Sequence, residues 1–361
     1  MNDANELISF IASMSGDGNL RVEENLGEGY VRLRVSEAER RQAKHDIQHV
    51  EDIVIEMLRN ARDAGADKVY LATTKEEGVR TLLFLDNGSG VPQDMQERIF
   101  DARVTSKLES MKMDRWGVHG RGMALFSIKQ NTDEARVVTS GVDLGSAFKV
   151  CVATDRLGER ADQSSWPQAV KDEDGRYVCA RGPHNIIRAA CEFALEELRC
   201  CDVYLGSPSE IAATLYAQAS SRLDTSRLLF IDDECELPVV DRLGLASDAE
   251  DFIRICSGLG LEMSERTAHR ILSGQISPVR GVTARLLRER DSTSHAPAPV
   301  DLAKDRRGLR IAKDDMAQFS RAVERDFNDL AARYYLNLCG DPKIRVSRDR
   351  ITVTFDLAKE E

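Results

Sequence analysis

One stretch restricts the fold of this chain more than any other, because a helix, two apolar strands and a glycine turn follow each other directly. Apolar residues recur at three- and four-residue spacing through the helical part, which predicts a helix from about residue 36 to residue 64 with one buried face. VYLAT and LLFLD then read as buried strands, and Gly88, Gly90 and Pro92 break the chain into a turn. The apolar helix positions are Ile47, Val50, Val54, Met57, Leu58 and Ala61.

Further strands alternate with helices along the rest of the chain. ARVVTS, SAFKVCVAT, DVYLG and RLLFI read as strands, and together with the intervening helices they predict an α+β fold, with helices on one face of a mixed sheet. Beyond residue 232 the sequence becomes mostly helical. We therefore predict a first domain over 1–232, a helical region over 233–290, a linker over 291–300, and a C-terminal region over 301–361. In that last region we expect a helix from about 314 to 338 and a terminal hairpin.

Composition is that of an ordinary globular protein. The 361 residues are 42% hydrophobic and 31% charged, and no apolar run approaches the roughly 20 residues that cross a bilayer. We expect no membrane partner and a cytoplasmic location. The eight cysteines form no CxxC pair, which disfavours zinc and disulfides.

Charge is distributed unevenly along the chain. The net charge is −11, yet residues 264–313 carry eleven Arg and Lys against five Asp and Glu. Within this basic segment, SERTAHRIL follows a helix and the turn LGLEMS as the second helix of a helix-turn-helix does, and Arg266 and Arg270 could reach a major groove. We favour the alternative, a helix pair that packs on the preceding domain, and DNA stays the less favoured partner.

The polar residues of the first helix are as regular as its apolar ones. Glu56, Asn60 and Asp63 lie at i, i+4 and i+7, so two carboxylates and a carboxamide share one stripe. Asp86 ends the following strand pair, and its carboxylate could accept a hydrogen bond from an exocyclic amine. Gly88 and Gly90 beside it would let a flat ring approach the backbone closely.

A second glycine-rich stretch, GVHGRGMAL, leads into an apolar helix. Its backbone N–H groups, together with the helix N-terminus, could hold phosphate. The longer segment from 101 to 122, which includes the loop glycines, mixes charged and small side chains without a clear period, as segments that cover ligands often do. The glycines of the loop are Gly117, Gly120 and Gly122.

Taken together and in this order, these motifs resemble the GHKL superfamily of ATP-binding proteins, which contains gyrase, a heat-shock chaperone, histidine kinases and MutL. The resemblance is to MutL in particular, because ARVTSK, GVHGRGMALFSI and VVTS look like the lid, phosphate loop and adenine-site strand of that family. It covers roughly residues 40 to 230. The resemblance implies a Bergerat-type sandwich of helices on a mixed sheet, with ATP and Mg²⁺ as ligands.

The same resemblance implies a role for individual residues. Glu56 would be the general base, Asn60 would coordinate Mg²⁺, and Asp63 would belong to the same site. Asp86 would accept from the adenine amine with support from Thr139, while Gly88 and Gly90 shape the pocket. Phosphate would be held by Lys107 in the lid and by the amides around Gly117, Gly120, Arg121 and Gly122.

The chain departs from the MutL pattern at Met123, where that family has a glutamate after the Arg-Gly of the phosphate loop. A cation from a second domain usually completes such sites, and Lys304, Arg306, Arg307 and Lys313 are the candidates here. We expect an ATPase whose lid closure switches an unidentified protein partner, with an ATP-dependent homodimer left open. The alternatives are a regulatory module with a weakly hydrolytic site and an anti-sigma-type protein kinase.

Overall fold

The computed structural model describes residues 22–106, 112–114, 116–119, 122–160, 162–198, 200–222 and 233–291, together with 316, 319–320, 322–324, 327, 336–340, 342–346 and 351–359. The chain divides into two compact units, Met1–Arg290 and Asp291–Glu361. The predicted boundary at residue 232 falls within the first unit. The predicted linker falls almost wholly on 292–300, outside the described residues.

The first unit begins with a hairpin and two helices. Strands β1 (Val22–Gly27) and β2 (Tyr30–Leu33) pair antiparallel, and helices α1 (Glu37–Asp46) and α2 (Val50–Asp63) follow. The single helix predicted over 36–64 is therefore wrong. The Asp52 carboxylate accepts the backbone N–H groups of Gln48 and His49, both at 2.9 Å, and this starts a new helix at Val50.

The rest of this unit contains ten strands and six α-helices in its described part. The strands are β3 (Lys68–Glu76), β4 (Val79–Asp86), β5 (Val104–Thr105), β6 (Lys112–Asp114), β7 (Gly117–His119), β8 (Glu134–Ser140), β9 (Ser146–Ala153), β10 (Gln168–Lys171), β11 (Tyr177–Arg181) and β12 (Asp202–Gly206). The helices are α3 (Ala124–Asn131), α4 (Ile186–Glu196), α5 (Pro208–Arg222), α6 (Ala249–Gly258), α7 (Glu265–Leu272) and α8 (Val282–Asp291).

Five strands form the main sheet in the order β12-β3-β4-β9-β8. β12 pairs with β3 in parallel, and the other neighbours are antiparallel, so the sheet is mixed. The predicted α+β fold is confirmed. In the described part of this unit, three smaller pairings lie outside this sheet: β5 extends the β1–β2 hairpin, β6 pairs with β7, and β10 pairs with β11. The β10–β11 hairpin was not predicted from the sequence.

Helices cover both faces of the main sheet, whereas the sequence predicted them on one. Val69 and Leu71 of β3 belong to a core shared with α2 and α4, while Tyr70 and Ala72 belong to a second core shared with α5, α6 and α7. Successive side chains of a strand point to opposite faces, so a continuous apolar run such as VYLA needs cover on both. The sequence 233–272 supplies much of the second cover.

The predicted helix pair in this region packs on the sheet through its apolar side. Phe252 and Ile255 of α6, with Ala268 and Ile271 of α7, are buried in the second core. Arg266 and His269 of α7 are exposed.

The second unit contains two antiparallel strand pairs. β13 (Leu336–Leu338) pairs with β16 (Leu357–Lys359), and β14 (Lys343–Val346) pairs with β15 (Ile351–Thr354). The helix predicted to reach residue 338 must end before Leu336, because residues 336–338 take part in strand pairing. Phe327, which is helical, stacks on Phe355 with ring centroids 4.0 Å apart.

Three further observations bear on the class of protein. All eight cysteines lie in the described ranges, and none of them forms a disulfide. Within the described ranges, no cluster of three or more His, Cys, Asp or Glu is arranged to hold a metal ion. No helix in that part of the chain is both long and apolar enough to span a membrane.

Candidate functional site

A cavity of about 540 Å³ lies against the polar face of α2. Its walls come from α1, α2, strands β4 and β9, the segment 103–106 and the start of α3. Helix α2 turns its apolar stripe to the core and its polar stripe to this cavity, as the spacing of the two stripes requires. The predicted site residues that border the cavity are Glu56, Asn60, Asp63, Asp86, Gly90 and Gly122.

Glu56 is paired with a cation from its own helix. Nη1 of Arg59 donates to Oε1 of Glu56 at 2.7 Å, and Arg59 also borders the cavity. The pair joins positions i and i+3, which are neighbours on a helix surface. A buried arginine at this position could not be predicted from the sequence, because its charge would suit a solvent-exposed face equally well.

Asn60, the residue after Arg59 in α2, also borders the cavity. Its Nδ2 atom is buried and has no hydrogen-bond partner among the residues that the structure describes. A buried amide without a partner costs free energy, so this side chain fits a site that is completed by a ligand.

Asp63 is held in an ion-pair network. Nε of Arg62 lies 3.0 Å from Oδ1 of Asp63, and Nη1 of Arg62 lies 2.9 Å from Oε1 of Glu197 on the other side. Burial opposes the charge of Arg62, but the hydrogen bond to Glu197 and the charge of Asp63 raise its pKa on balance. This network joins the end of α2 to the residue that follows α4.

Asp86 lies at the end of β4, with 4% of its surface exposed. Its Oδ1 accepts the backbone N–H of Gly88 at 2.8 Å, which turns the chain sharply after the strand. Gly90 has φ +70, and a Cβ there would overlap the carbonyl oxygen of Gly141. A side chain is therefore excluded at Gly90, and the turn keeps a shape that leaves Asp86 at the cavity wall. Gly88 itself does not border the cavity.

Two serines that the sequence analysis did not assign lie near this end of the cavity, and one of them, Ser146, lines it. Ser146 lies opposite Asp86 in the β4–β9 pairing and borders the cavity. The Ser140 hydroxyl accepts the N–H of Val91 at 2.7 Å, donates to the carbonyl of Gly145 at 2.8 Å, and lies 2.9 Å from the Ser146 hydroxyl. The sequence VVTS already indicated that Ser140 could take this place, because adjacent residues of a strand face opposite sides and Ser140 therefore faces away from the side of Thr139.

Thr139 points elsewhere. Its hydroxyl accepts a hydrogen bond from Nη1 of Arg242 at 2.9 Å, and it is not among the described residues that border the cavity. The structure therefore does not bring Thr139 to the Asp86 site in this conformation. Ser146 borders the cavity there, and Ser140 supports it from behind through the contact between the two hydroxyls.

The glycine loop is described only in part. Gly117 belongs to β7, and Gly122, with φ +66, accepts the N–H of Arg103 at 2.8 Å just before α3. Arg103 also forms an ion pair with Glu39 of α1, and both border the cavity. Hydrogen bonds from Ser36 and the charge of Arg103 hold the pKa of Glu39 below its ordinary value, against the effect of burial.

Several predicted residues lie outside the described ranges. They are Lys107, Gly120 and Arg121 of the lid and phosphate loop, and Lys304, Arg306, Arg307 and Lys313 as candidate cations. Met123, which stands in place of the glutamate of the MutL pattern, is described and borders the cavity before α3.

Comparison with known proteins identifies the class of this domain. Residues 47–148 match the family described as histidine kinase-, DNA gyrase B-, and HSP90-like ATPase. The matched segment contains α2, the β3–β4 pair with Asp86, the glycine loop, β8 and the start of β9. Over residues 47–148 the chain is therefore similar to the GHKL superfamily of ATPases.

Within this superfamily the domain is MutL-like. The DNA mismatch repair protein MutL of Brucella abortus is 34% identical over 112 residues, which are 31% of this chain and 18% of that protein. MutL of Thermodesulfovibrio yellowstonii is 31% identical over 107 residues, which are 29% of this chain and 19% of that protein. The similarity thus spans less than a fifth of the length of these relatives.

Proposed function

We propose that this chain binds ATP with Mg²⁺ in the cavity beside α2 and hydrolyses it to ADP and phosphate. The observation that carries the proposal is that Glu56 and Asn60 of α2 border the same cavity as Asp86 of β4. These residues come from two elements, and each has a chemical type that nucleotide binding needs. The similarity of residues 47–148 to the GHKL ATPases supports the same activity.

The base of the nucleotide binds at the Asp86 end. There the second carboxylate oxygen accepts from the exocyclic amine of adenine, because Oδ1 is already engaged by Gly88. Ser140 donates its single hydroxyl hydrogen to Gly145, so the hydrogen between the two serines comes from Ser146. Ser146 then offers only lone pairs, which suits an amine and disfavours the carbonyl of guanine.

The triphosphate extends toward Asn60 and the start of α3. Asn60 fits the site in two ways. Its carboxamide oxygen is a hard ligand for Mg²⁺, and its buried Nδ2, which has no partner in the described part of the chain, donates to a phosphate oxygen. Magnesium in phosphate sites typically takes one or two protein ligands, its other ligands being phosphate oxygens and water, so no larger cluster is needed. When bound, the ion neutralises charge on the phosphates.

Glu56 acts as the general base that polarises the attacking water. Lys107 and the amides around Gly117, Gly120, Arg121 and Gly122 hold phosphate, and Asp63 fixes the end of α2 through Arg62. Phosphoryl transfer depends mainly on positioning and charge neutralisation. The carboxylate, the lysine and the backbone amides can position the reactants and neutralise their charge.

Nucleotide binding closes the lid that carries Lys107 and thereby changes contacts with a partner. We take this partner to be a protein, with a second copy of the chain as one option and DNA as a less favoured one. The cytoplasm is the proposed location. Calorimetry with ATP and Mg²⁺, followed by turnover measurement with and without DNA, tests the proposal. Absence of ATP binding would refute it.

A second function is favoured by one contact. Because Arg59 engages Glu56, the site could hold ATP for long periods and act as a regulatory module that hydrolyses weakly. Turnover far below one ATP per minute with tight binding would support this second function over the first.

A further inference from the structure

The buried guanidinium of Arg59 lies directly against the carboxylate that the proposed function assigns as the base. We propose that Arg59 restrains Glu56 and slows ATP hydrolysis, so that it is a positioning residue that sets the turnover rate. This inference rests on the proposed function. It deepens the contact on which the second function rests, and it concerns a residue to which the motif pattern assigns no role.

The two side chains differ sharply in exposure. The Arg59 side chain is 3% exposed and the Glu56 side chain 22%, with 2.7 Å between Nη1 and Oε1. The cation therefore lies on the protein side of the pair, and the carboxylate lies toward the cavity. Moving the Arg59 guanidinium away from Glu56 is unfavourable, because a buried charge would lose its carboxylate partner without gaining contact with water.

The reaction changes the charge of only one partner. As Glu56 takes a proton from water, its negative charge passes toward the phosphate, while Arg59 stays positive. The hydrogen bond from Arg59 is therefore stronger with the ionised carboxylate before the reaction than with the neutral acid that forms. An interaction that favours the ground state over the transition state raises the barrier.

The same contact also limits geometry. With Oε1 held by Arg59 on the same helix, the carboxylate is fixed to one orientation relative to α2. Binding of ATP depends on other groups, namely Asp86, Asn60 and the phosphate loop. Removal of Arg59 is therefore expected to act on kcat and to leave KM nearly unchanged.

The test compares purified full-length variants in steady-state ATP turnover. Arg59→Met should raise kcat about tenfold, which is within the range for loss of one charge-assisted hydrogen bond, and should leave KM and the calorimetric Kd for ATP within about twofold. Arg59→Lys retains the charge and should stay near the wild-type kcat. If Arg59→Met does not fold, Arg59→Gln carries the same test with an expected rise of about threefold.

Arg80→Met is the matched control, because Arg80 is another buried arginine in an ion pair, with Glu159, and it does not border the cavity. Its kcat should equal that of the wild type. Arg59→Met in a Glu56→Ala background should give no acceleration. A rise there, or an unchanged or lower kcat for Arg59→Met alone, would overturn the restraint.

A double-mutant cycle of unfolding with Glu56→Gln and Arg59→Met tests the pair without any turnover. Coupled effects are expected, and purely additive effects would show that the two side chains do not interact. Failure of the wild type to bind ATP would refute the proposed function. Normal binding with no acceleration in Arg59→Met would refute only the role of Arg59.

Discussion

Arg242 donates a hydrogen bond of 2.9 Å to the hydroxyl of Thr139, a residue 103 positions earlier in the chain. Arg242 is 5% exposed, and its Nε also donates to the carbonyl of Leu237 at 3.2 Å. Nearby, the N–H of Val239 donates to the carbonyl of Leu144 in the β8–β9 turn at 2.8 Å. These hydrogen bonds thus attach the region after residue 232 to strand β8 and the β8–β9 turn, at one edge of the main sheet.

This contact makes the role of Thr139 testable. Thr139→Val should lower the free energy of unfolding by about 1–3 kcal/mol, because a buried guanidinium loses an acceptor, and should leave ATP affinity unchanged. Thr154→Val, which removes an exposed hydroxyl that bonds the backbone of Gly78, is the control and should have little effect on stability. Denaturant unfolding and calorimetry measure the two quantities. A loss of ATP affinity in Thr139→Val would support the adenine-site role predicted from the motif.

Asp86→Asn should weaken ATP binding by about 1–3 kcal/mol, because the specific acceptor for the adenine amine is lost. Folding should change much less, since the asparagine oxygen can still accept the N–H of Gly88. Titration calorimetry with ATP and Mg²⁺ gives the affinity, and thermal unfolding gives the control. Equal affinities for the wild type and the variant would place the adenine elsewhere.

Glu56→Ala should leave ATP bound and slow hydrolysis by about 10²–10⁴-fold, the usual contribution of a positioned general base. Single-turnover measurement of phosphate release, with ATP binding measured separately, distinguishes this loss from a loss of affinity. Unaltered hydrolysis in this variant would show that another group activates the water.

Asn60→Ala should abolish the dependence of ATP affinity on Mg²⁺, because the variant lacks the carboxamide oxygen that is proposed to bind the ion. The measurement is calorimetry with ATP in Mg²⁺ and again in EDTA. The wild type should bind more weakly in EDTA, and the variant should show the same weak binding in both buffers. A variant that still responds to Mg²⁺ would mean that the ion is held by other groups.

The basic segment should not bind duplex DNA, even at about 50 mM salt. The net charge of −11 disfavours binding, and the Arg285 guanidinium lies 4.0 Å from the ring centroid of Trp166, within its own unit. Charge reversal in Arg285→Glu should lower stability by about 0.5–1 kcal/mol through the lost cation–π contact. Anisotropy titrations at about 50 and 200 mM salt check the first expectation, and tight, salt-sensitive binding would instead favour the helix-turn-helix. The arginines concerned are Arg266, Arg270, Arg280, Arg285 and Arg288.

Local pattern determined the central part of this protein. The polar stripe of Glu56, Asn60 and Asp63 follows from helical periodicity alone, and Asp86 at a strand end before two glycines follows from strand and turn signals. The order of these motifs was sufficient to predict the superfamily and the α+β fold. It also predicted that α2 and the end of β4 border one site.

Tertiary structure decided the features that depend on distant partners. The sequence could not show that Arg59 is buried against Glu56, because an arginine at i+3 fits a solvated face as readily as a cavity wall. The burial of both sheet faces depends on where 233–272 packs, and the orientation of Thr139 toward Arg242 depends on the same packing. Periodicity specifies which side of an element is apolar, but the partner that covers it is chosen by contacts far apart in the chain.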